Sequence, residues 1–195
     1  QNNLMESLQD SKGGKETPEK PENHGKPWTK EEQEELKRLY DEGSTIVELS
    51  EKYKRTEISI ELITKKLKIF KVLERRKIKK LIHFTDIRNI KTIEKYGILP
   101  ITRLQEKGIK YYENDSIRFD NQPGGISVSI TKRNSHLLNA FQKRKPRSWA
   151  EIEINPEIVA TRNSLFYDSN AASKKYINVS EEYLQSADAF LNMFA

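Results

Sequence analysis

An α+β domain carried behind a small all-α unit is what this sequence predicts, and three observations lead there. Apolar residues recur at helical spacing from Trp28 to Phe70, short alternating runs are interspersed with short helical runs from Leu81 onward, and a dense basic tract separates the two regions. The chain lacks the βαβ regularity of a doubly wound sheet, and it has neither the glycine fingerprint of a Rossmann turn nor a P-loop.

The elements follow in order. Residues 1–26 hold almost nothing apolar after Leu8 and read as a flexible, disordered arm, because they bury too little surface to offset the entropy of ordering. Thr29 with Glu32 three residues on forms a capping box for a first helix carrying Leu36, Leu39 and Tyr40, which stops near Gly43. Ser44 is the expected cap of a second helix with Ile46, Leu49 and Tyr53, and a third starts at about Glu57 with Ile60, Ile63, Leu67 and Phe70 on one stripe. Residues 27–70 are thus a tri-helical unit, 71–80 a basic linker and 81–195 a second domain.

That domain opens on a strand over Leu81–Thr85, followed by a helix through Ile87, Ile90 and Ile93 that ends at Gly97. Gly124-Gly125 turns into an alternating strand over Ile126–Ile130, a helix covers Ser135–Lys143, and Trp149–Ile154 alternates again before Asn155-Pro156 ends it. Leu165–Tyr167 reads as one more strand. Near the end, Tyr183, Leu184, Ala187 and Leu191 make a helical stripe.

Composition narrows the function. One residue in three of the 195 is charged and the formal charge is +6, which points to a soluble protein that meets a polyanion. No run approaches the roughly 18 to 20 apolar residues of a membrane span, and no secretory leader is visible, so the expected compartment is cytoplasmic. The absence of cysteine removes disulfides and thiolate zinc sites, and His24, His83 and His136 lack metal-ligand spacing, so no metal is expected. Nine basic residues between Lys65 and Lys80 face only Glu74, and Lys132, Arg133, Lys143, Arg144, Lys145 and Arg147 have no acid among them in sequence. Phosphate is the partner such clusters suit, and solvated helix faces are the plainer alternative.

The run from Pro27 to Ile69 resembles the Myb/SANT-like helix-turn-helix modules, in which the third helix, here about Glu57 to Lys68, would enter the major groove. Its first residues, Glu57, Ser59 and Glu61, are not the Arg, Lys, Asn or Gln that read base edges. Sequence reading, non-specific docking on nucleic acid and a structural or protein-binding role all stand open.

Five segments of the second domain, LIHFTDIRNIKTIEKYGILP, ENDSIRFD, GGISVSI, SWAEIEINPEIV and FYDSNAAS, together resemble the DarT family of single-stranded DNA ADP-ribosyltransferases, the toxins of toxin–antitoxin pairs. The resemblance spans Leu81 to Ala195 and implies a split mixed-sheet ADP-ribosyltransferase fold with NAD, as substrate, in the cleft between two small sheets. It assigns His83 and Thr85 to the first NAD motif, Phe84 to backbone contact or packing there, and Thr92 on the following helix to the pocket lining. Two residues apart on a strand, an imidazole and a hydroxyl share a face and suit ribose hydroxyls. Taken without the family, His83 is a strand histidine of the kind usually satisfied in a core or at an edge.

The resemblance makes Arg118 the basic residue that meets the NAD phosphates and the acceptor base, and so the catalytic candidate. Charge stabilisation and orientation suit it better than proton removal, since a guanidinium is a poor base; a surface arginine paired with Asp115 or Asp120 is the plain alternative. Ser127 and Ser129 either support the nicotinamide ribose or form an ordinary solvent face. Tyr111, Tyr112 and Trp149 are candidates to stack a splayed base, with core packing beside Ile152 as the other reading of Trp149.

The family also implies single-stranded DNA as acceptor, a macrodomain antitoxin as partner, and a catalytic glutamate on a late strand that this sequence does not reach, so a C-terminally incomplete domain is expected. Glu151 and Glu153 match a non-catalytic run of the family, and Glu181, Glu182 and Asp188 fall in the helical stretch. An RNA or protein ADP-ribosyltransferase, and a helix-turn-helix regulator with a ligand-binding second domain, are the alternatives.

Overall fold

The computed structural model describes residues 20–113, 122–144 and 147–195, the side chain of Arg144 excepted. The chain divides into two compact units, Gln1–Glu61 and Leu62–Ala195.

In the first unit, α1 (Lys30–Asp41) and α2 (Ile46–Tyr53) each begin with a full capping box, Thr29 with Glu32 and Thr45 with Glu48. The second cap is Thr45 rather than the expected Ser44. Three residues beyond Thr45 stands a glutamate that bonds back to its backbone N–H, whereas three beyond Ser44 stands Val47, which has no such bond to offer. Gly43, at φ 104, takes the left-handed turn between the helices. The third helix, α3, runs Glu57–Arg75; Thr56 accepts from the Ser59 N–H at its start. Leu36, Leu49, Tyr53 and Ile60 are buried.

Arg55, only 4% exposed, ties the preceding segment to these helices. Its guanidinium donates to the carbonyls of Asn23, Lys26 and Pro27 and lies 4.0 Å from the Trp28 ring centroid. Asn23 N–H donates to the Lys54 carbonyl. The stretch from Pro21 to Lys26 is therefore held in place, although its composition reads as part of the arm; a buried arginine supplies the bonds that apolar contacts do not.

The second unit begins inside α3. Ile69, Val72 and Leu73 join Ile78, Leu81, Val159, Phe166, Ala187, Ala189 and Phe190 in one apolar core. The helix thus continues past Phe70, the last residue of the stripe seen in sequence, and past the Lys68 at which the helix-turn-helix resemblance ends it, because apolar residues go on through the stretch that reads as basic linker.

Three strands form an antiparallel sheet in the order β2 (Ser129–Ile130), β1 (Leu81–Asp86), β3 (Trp149–Ile154). Pairing sets the faces, since opposite residues share one. Leu81, His83 and Thr85 lie with Ile154, Ile152 and Ala150; Ile82, Phe84 and Asp86 lie with Glu153, Glu151 and Trp149. Of the alternating run Ile126–Ile130 only the last two residues pair, and Ile126 and Val128 are 39% exposed. Alternation without a partner edge makes no ladder. Leu165–Tyr167 is likewise no strand: the Phe166 N–H donates to the Leu184 carbonyl at 2.8 Å, and the ring enters the core beside Phe190.

After β1 a short 3-10 turn (Ile87–Asn89) leads into α4 (Ile90–Tyr96), closed at Gly97, and α5 (Ile101–Glu106) follows. Helix α6 spans Ser135–Arg144 and α7 spans Ile158–Thr161. The last helical stretch is split into α8 (Glu181–Leu184) and α9 (Ala187–Asn192), each capped by a serine, Ser180 and Ser186. The second cap shifts the helical phase, so Phe190 is buried where the unbroken stripe predicts Leu191, which is 44% exposed.

Candidate functional site

The first NAD motif of the sequence reading falls on β1, the central strand. His83 is half-buried, and its Nδ1 meets the Ser127 carbonyl at 2.9 Å. A carbonyl only accepts, so Nδ1 carries the proton and Nε2 of the neutral ring is left as an acceptor. Burial holds the imidazole pKa below its ordinary value, partly offset by the Ser127 carbonyl. Of Ser127, then, it is the carbonyl that meets the histidine; Ser129 pairs with Ile82 and shares the opposite face of the sheet.

Thr85 lies on the His83 face and is 4% exposed. Its hydroxyl accepts from Asn89 Nδ2 at 2.9 Å. Phe84 turns to the other face, packing with Phe141 and Trp149 at centroid distances of 6.2 and 5.9 Å. Phe141 and Trp149 stack on each other at 5.9 Å. Packing is the role this gives both Phe84 and Trp149; the buried indole N–H of Trp149 has no partner among the described residues. Thr92 is half-buried on α4. Arg118, with Asp115 and Asp120, lies outside the described residues.

The end of β1 holds a polar cluster that sequence reasoning missed. Asp86 is 1% exposed, yet it carries a charge. Arg88 donates to both its oxygens, at 2.8 and 2.6 Å, and Arg147 adds a bond at 3.2 Å. These cations hold the carboxyl at about 2, well below the usual carboxylate range, Arg88 contributing most and burial opposing. Asn89, also buried, clamps the next segment: its Nδ2 donates to the Tyr112 carbonyl and its Oδ1 accepts from the Tyr112 N–H, both at 2.8 Å. The Arg88 guanidinium lies 3.8 Å from the Tyr112 ring centroid. Asp-Ile-Arg-Asn, running from the last strand residue into the 3-10 turn, is the local signal for this cluster, a short acid two residues before a donor at a helix start.

Three cations of the basic clusters find acids far off in sequence. Arg133 bonds Glu151, Lys80 bonds Glu153 and Arg147 bonds Asp86. Glu151 and Glu153 are therefore ion-pair partners on the face opposite His83. The late acids Glu181, Glu182 and Asp188 sit in the first turns of α8 and α9, next to their positive dipole ends. Among the described residues no group of His, Cys, Asp and Glu is arranged to hold a metal ion, and no helix is long and apolar enough to cross a membrane.

The second unit is an α+β domain with His83, Phe84 and Thr85 on its central strand, and the family comparison gives its class, that of ADP-ribosyltransferases. Residues 82–194 match the family model of DarT, described as ssDNA thymidine ADP-ribosyltransferase. The chain belongs to the DarT family. A comparison with curated proteins finds no match.

Proposed function

We propose that this protein transfers ADP-ribose from NAD to a base of single-stranded DNA and releases nicotinamide. The observation that carries the reading is the family match over residues 82–194, within which His83 is held as a neutral hydrogen-bond acceptor on the central strand. NAD is the substrate, and the glycosidic bond to nicotinamide breaks as the ribose C1′ bonds a base nitrogen, which loses its proton. The developing charge on the ribose calls for a fixed polar surround.

In this reading His83 Nε2 accepts from a ribose hydroxyl. Thr85 supports that contact through Asn89, Phe84 sets the strand by packing behind it, and Thr92 lines the pocket from α4. Arg118 is proposed to meet the pyrophosphate and orient the acceptor base. The described antiparallel sheet would be one part of the split mixed sheet of the transferase fold. The basic face of α3 and the tri-helical unit of residues 27–70 are read as docking surfaces for nucleic acid, in the manner of a helix-turn-helix module, and a macrodomain antitoxin is the expected protein partner.

The test is to incubate the protein with NAD labelled in its adenylate moiety and, separately, with single-stranded DNA, duplex DNA, RNA and a protein mixture. Label on single-stranded DNA with equimolar release of nicotinamide supports the reading. Label on RNA or protein alone would replace the acceptor, and no NAD turnover with any acceptor would overturn it.

A further inference from the structure

Arg88 has most of its polar edge occupied and one of its flat faces covered. Its Nε and Nη2 are spent on the two oxygens of Asp86, and its guanidinium carbon lies 3.8 Å from the Tyr112 ring centroid. Tyr112 is itself clamped through its backbone by Asn89, so the layer beneath the guanidinium cannot drift. Despite these contacts 47% of the Arg88 side chain is exposed. With one face against the Tyr112 ring and its edge on Asp86, the guanidinium has a fixed orientation and remains open to solvent.

Arg147 reaches the same Asp86 oxygen as Arg88, and Lys110 stands 5.6 Å from the Tyr112 ring. Two guanidiniums and an ammonium around one buried carboxylate leave the spot net positive. With its bidentate edge already used, Arg88 is poorly placed to grip a phosphate, and what it still offers is its outer face. Unstacked bases of single strands are held on arginine planes as well as on aromatic rings.

We propose that Arg88, locked between Asp86 and Tyr112, is a stacking platform for one nucleobase of the single-stranded DNA, with the exposed Lys110 beside it for an adjoining phosphate. The proposal rests on the reading of this chain as a DNA-modifying enzyme and adds a base subsite to it. Asp86, Arg88 and Tyr112 are not among the side chains read as meeting NAD, so DNA affinity measured without NAD reports on the platform without turnover.

The experiment measures binding of the full chain, without NAD, to a dye-labelled oligothymidylate and to the same strand built entirely of abasic sites, by fluorescence anisotropy. Arg88→Ala is expected to weaken oligothymidylate binding by roughly 5- to 100-fold, the range for losing one base stack, and to change abasic binding little. Arg88→Lys keeps the charge and loses the plane, so it should remain several-fold weaker on oligothymidylate with an unaltered salt slope; it also carries the test if the alanine variant does not fold, as judged by circular dichroism. An equal penalty on both strands would make Arg88 a phosphate contact and overturn the platform, as would wild-type affinity in a folded variant. If the unmutated protein bound or modified no single-stranded DNA, the DNA-transferase reading would fall first and the platform with it; if it modified DNA normally while Arg88→Ala bound like wild type, the platform alone would fall.

Discussion

Asp86 and Arg88, two residues apart, close a bidentate ion pair at 2.8 and 2.6 Å around a carboxylate that is 1% exposed. The same carboxylate reaches Arg147, so one buried acid joins the end of the central strand to the segment that precedes β3.

Asp86→Asn leaves two arginines without their common counter-charge. At neutral pH it should destabilise the second unit by about 3 kcal/mol, the low end for unpairing a buried ion because Arg88 stays half-exposed. The sign with pH follows from the lowered pKa. Asp86 contributes fully above its ordinary value of 3.8 and the contribution is lost as pH falls toward about 2. Urea unfolding of wild type and variant should therefore differ at pH 7 and converge between about pH 4 and pH 2; a difference that persisted at the acid end would show that the charge is not what Asp86 supplies.

His83→Ala should weaken NAD binding by about ten- to a hundredfold, the usual cost of losing a buried hydrogen-bonding partner. Acceptance at Nε2 requires the neutral ring. Because the folded pKa lies below 6.5, wild-type affinity should be flat above that pH and begin to fall only on acidification below it. Titration calorimetry across this range is the measurement, and an affinity that rose on acidification would mean the charged imidazole is the binding form.

Salt dependence separates the two basic clusters. Arg75, Arg76, Lys77 and Lys79 are exposed at and just beyond the end of α3, whereas Arg133 and Arg147 are engaged by Glu151 and Asp86. Neutralising those four residues should lower the log–log salt slope of single-stranded DNA binding by about 2 or more, if at least three of them meet phosphates. Substituting Lys132 and Lys143 should lower it by less. Equal and negligible changes would make both clusters solvated faces.

Ile69 lies outside the matched residues 82–194 but is 1% exposed in the same core as Leu81 and Phe190. Ile69→Ala should destabilise that unit by about 2 to 5 kcal/mol, the cost of a cavity at a packed site. Thermal unfolding would show it, and an unchanged melting temperature would mean that α3 is dispensable to the transferase core.

Many local patterns were legible, although the Thr45–Glu48 cap and the Asp86–Arg88 pair, both local, were not. The Thr29–Glu32 cap, the stop at Gly43, the start of α3 at Glu57, the strands at Leu81 and Trp149 and the helix from Ser135 all follow from spacing and side-chain chemistry within a few residues. Reading failed where a pattern needed a partner. Ile126–Ile130 alternates but has only a two-residue edge to pair with, and Leu165–Tyr167 is apolar because Phe166 fills a core, which a β-like run of three cannot reveal.

The family was in the sequence outright, since five short segments in order identify it without any contact being known, and the match over residues 82–194 bears that out. So was the placing of His83 and Thr85 on one strand face, which needs only a period of two. Only the tertiary structure decided the charges. Coulomb attraction and desolvation depend on distance through space, and Arg147 stands 61 residues from Asp86 while Arg133 stands 18 from Glu151. Arg133 and Arg147, which look unopposed along the chain, are therefore paired across space, and Arg88, whose acid lies two residues away, stays half-exposed.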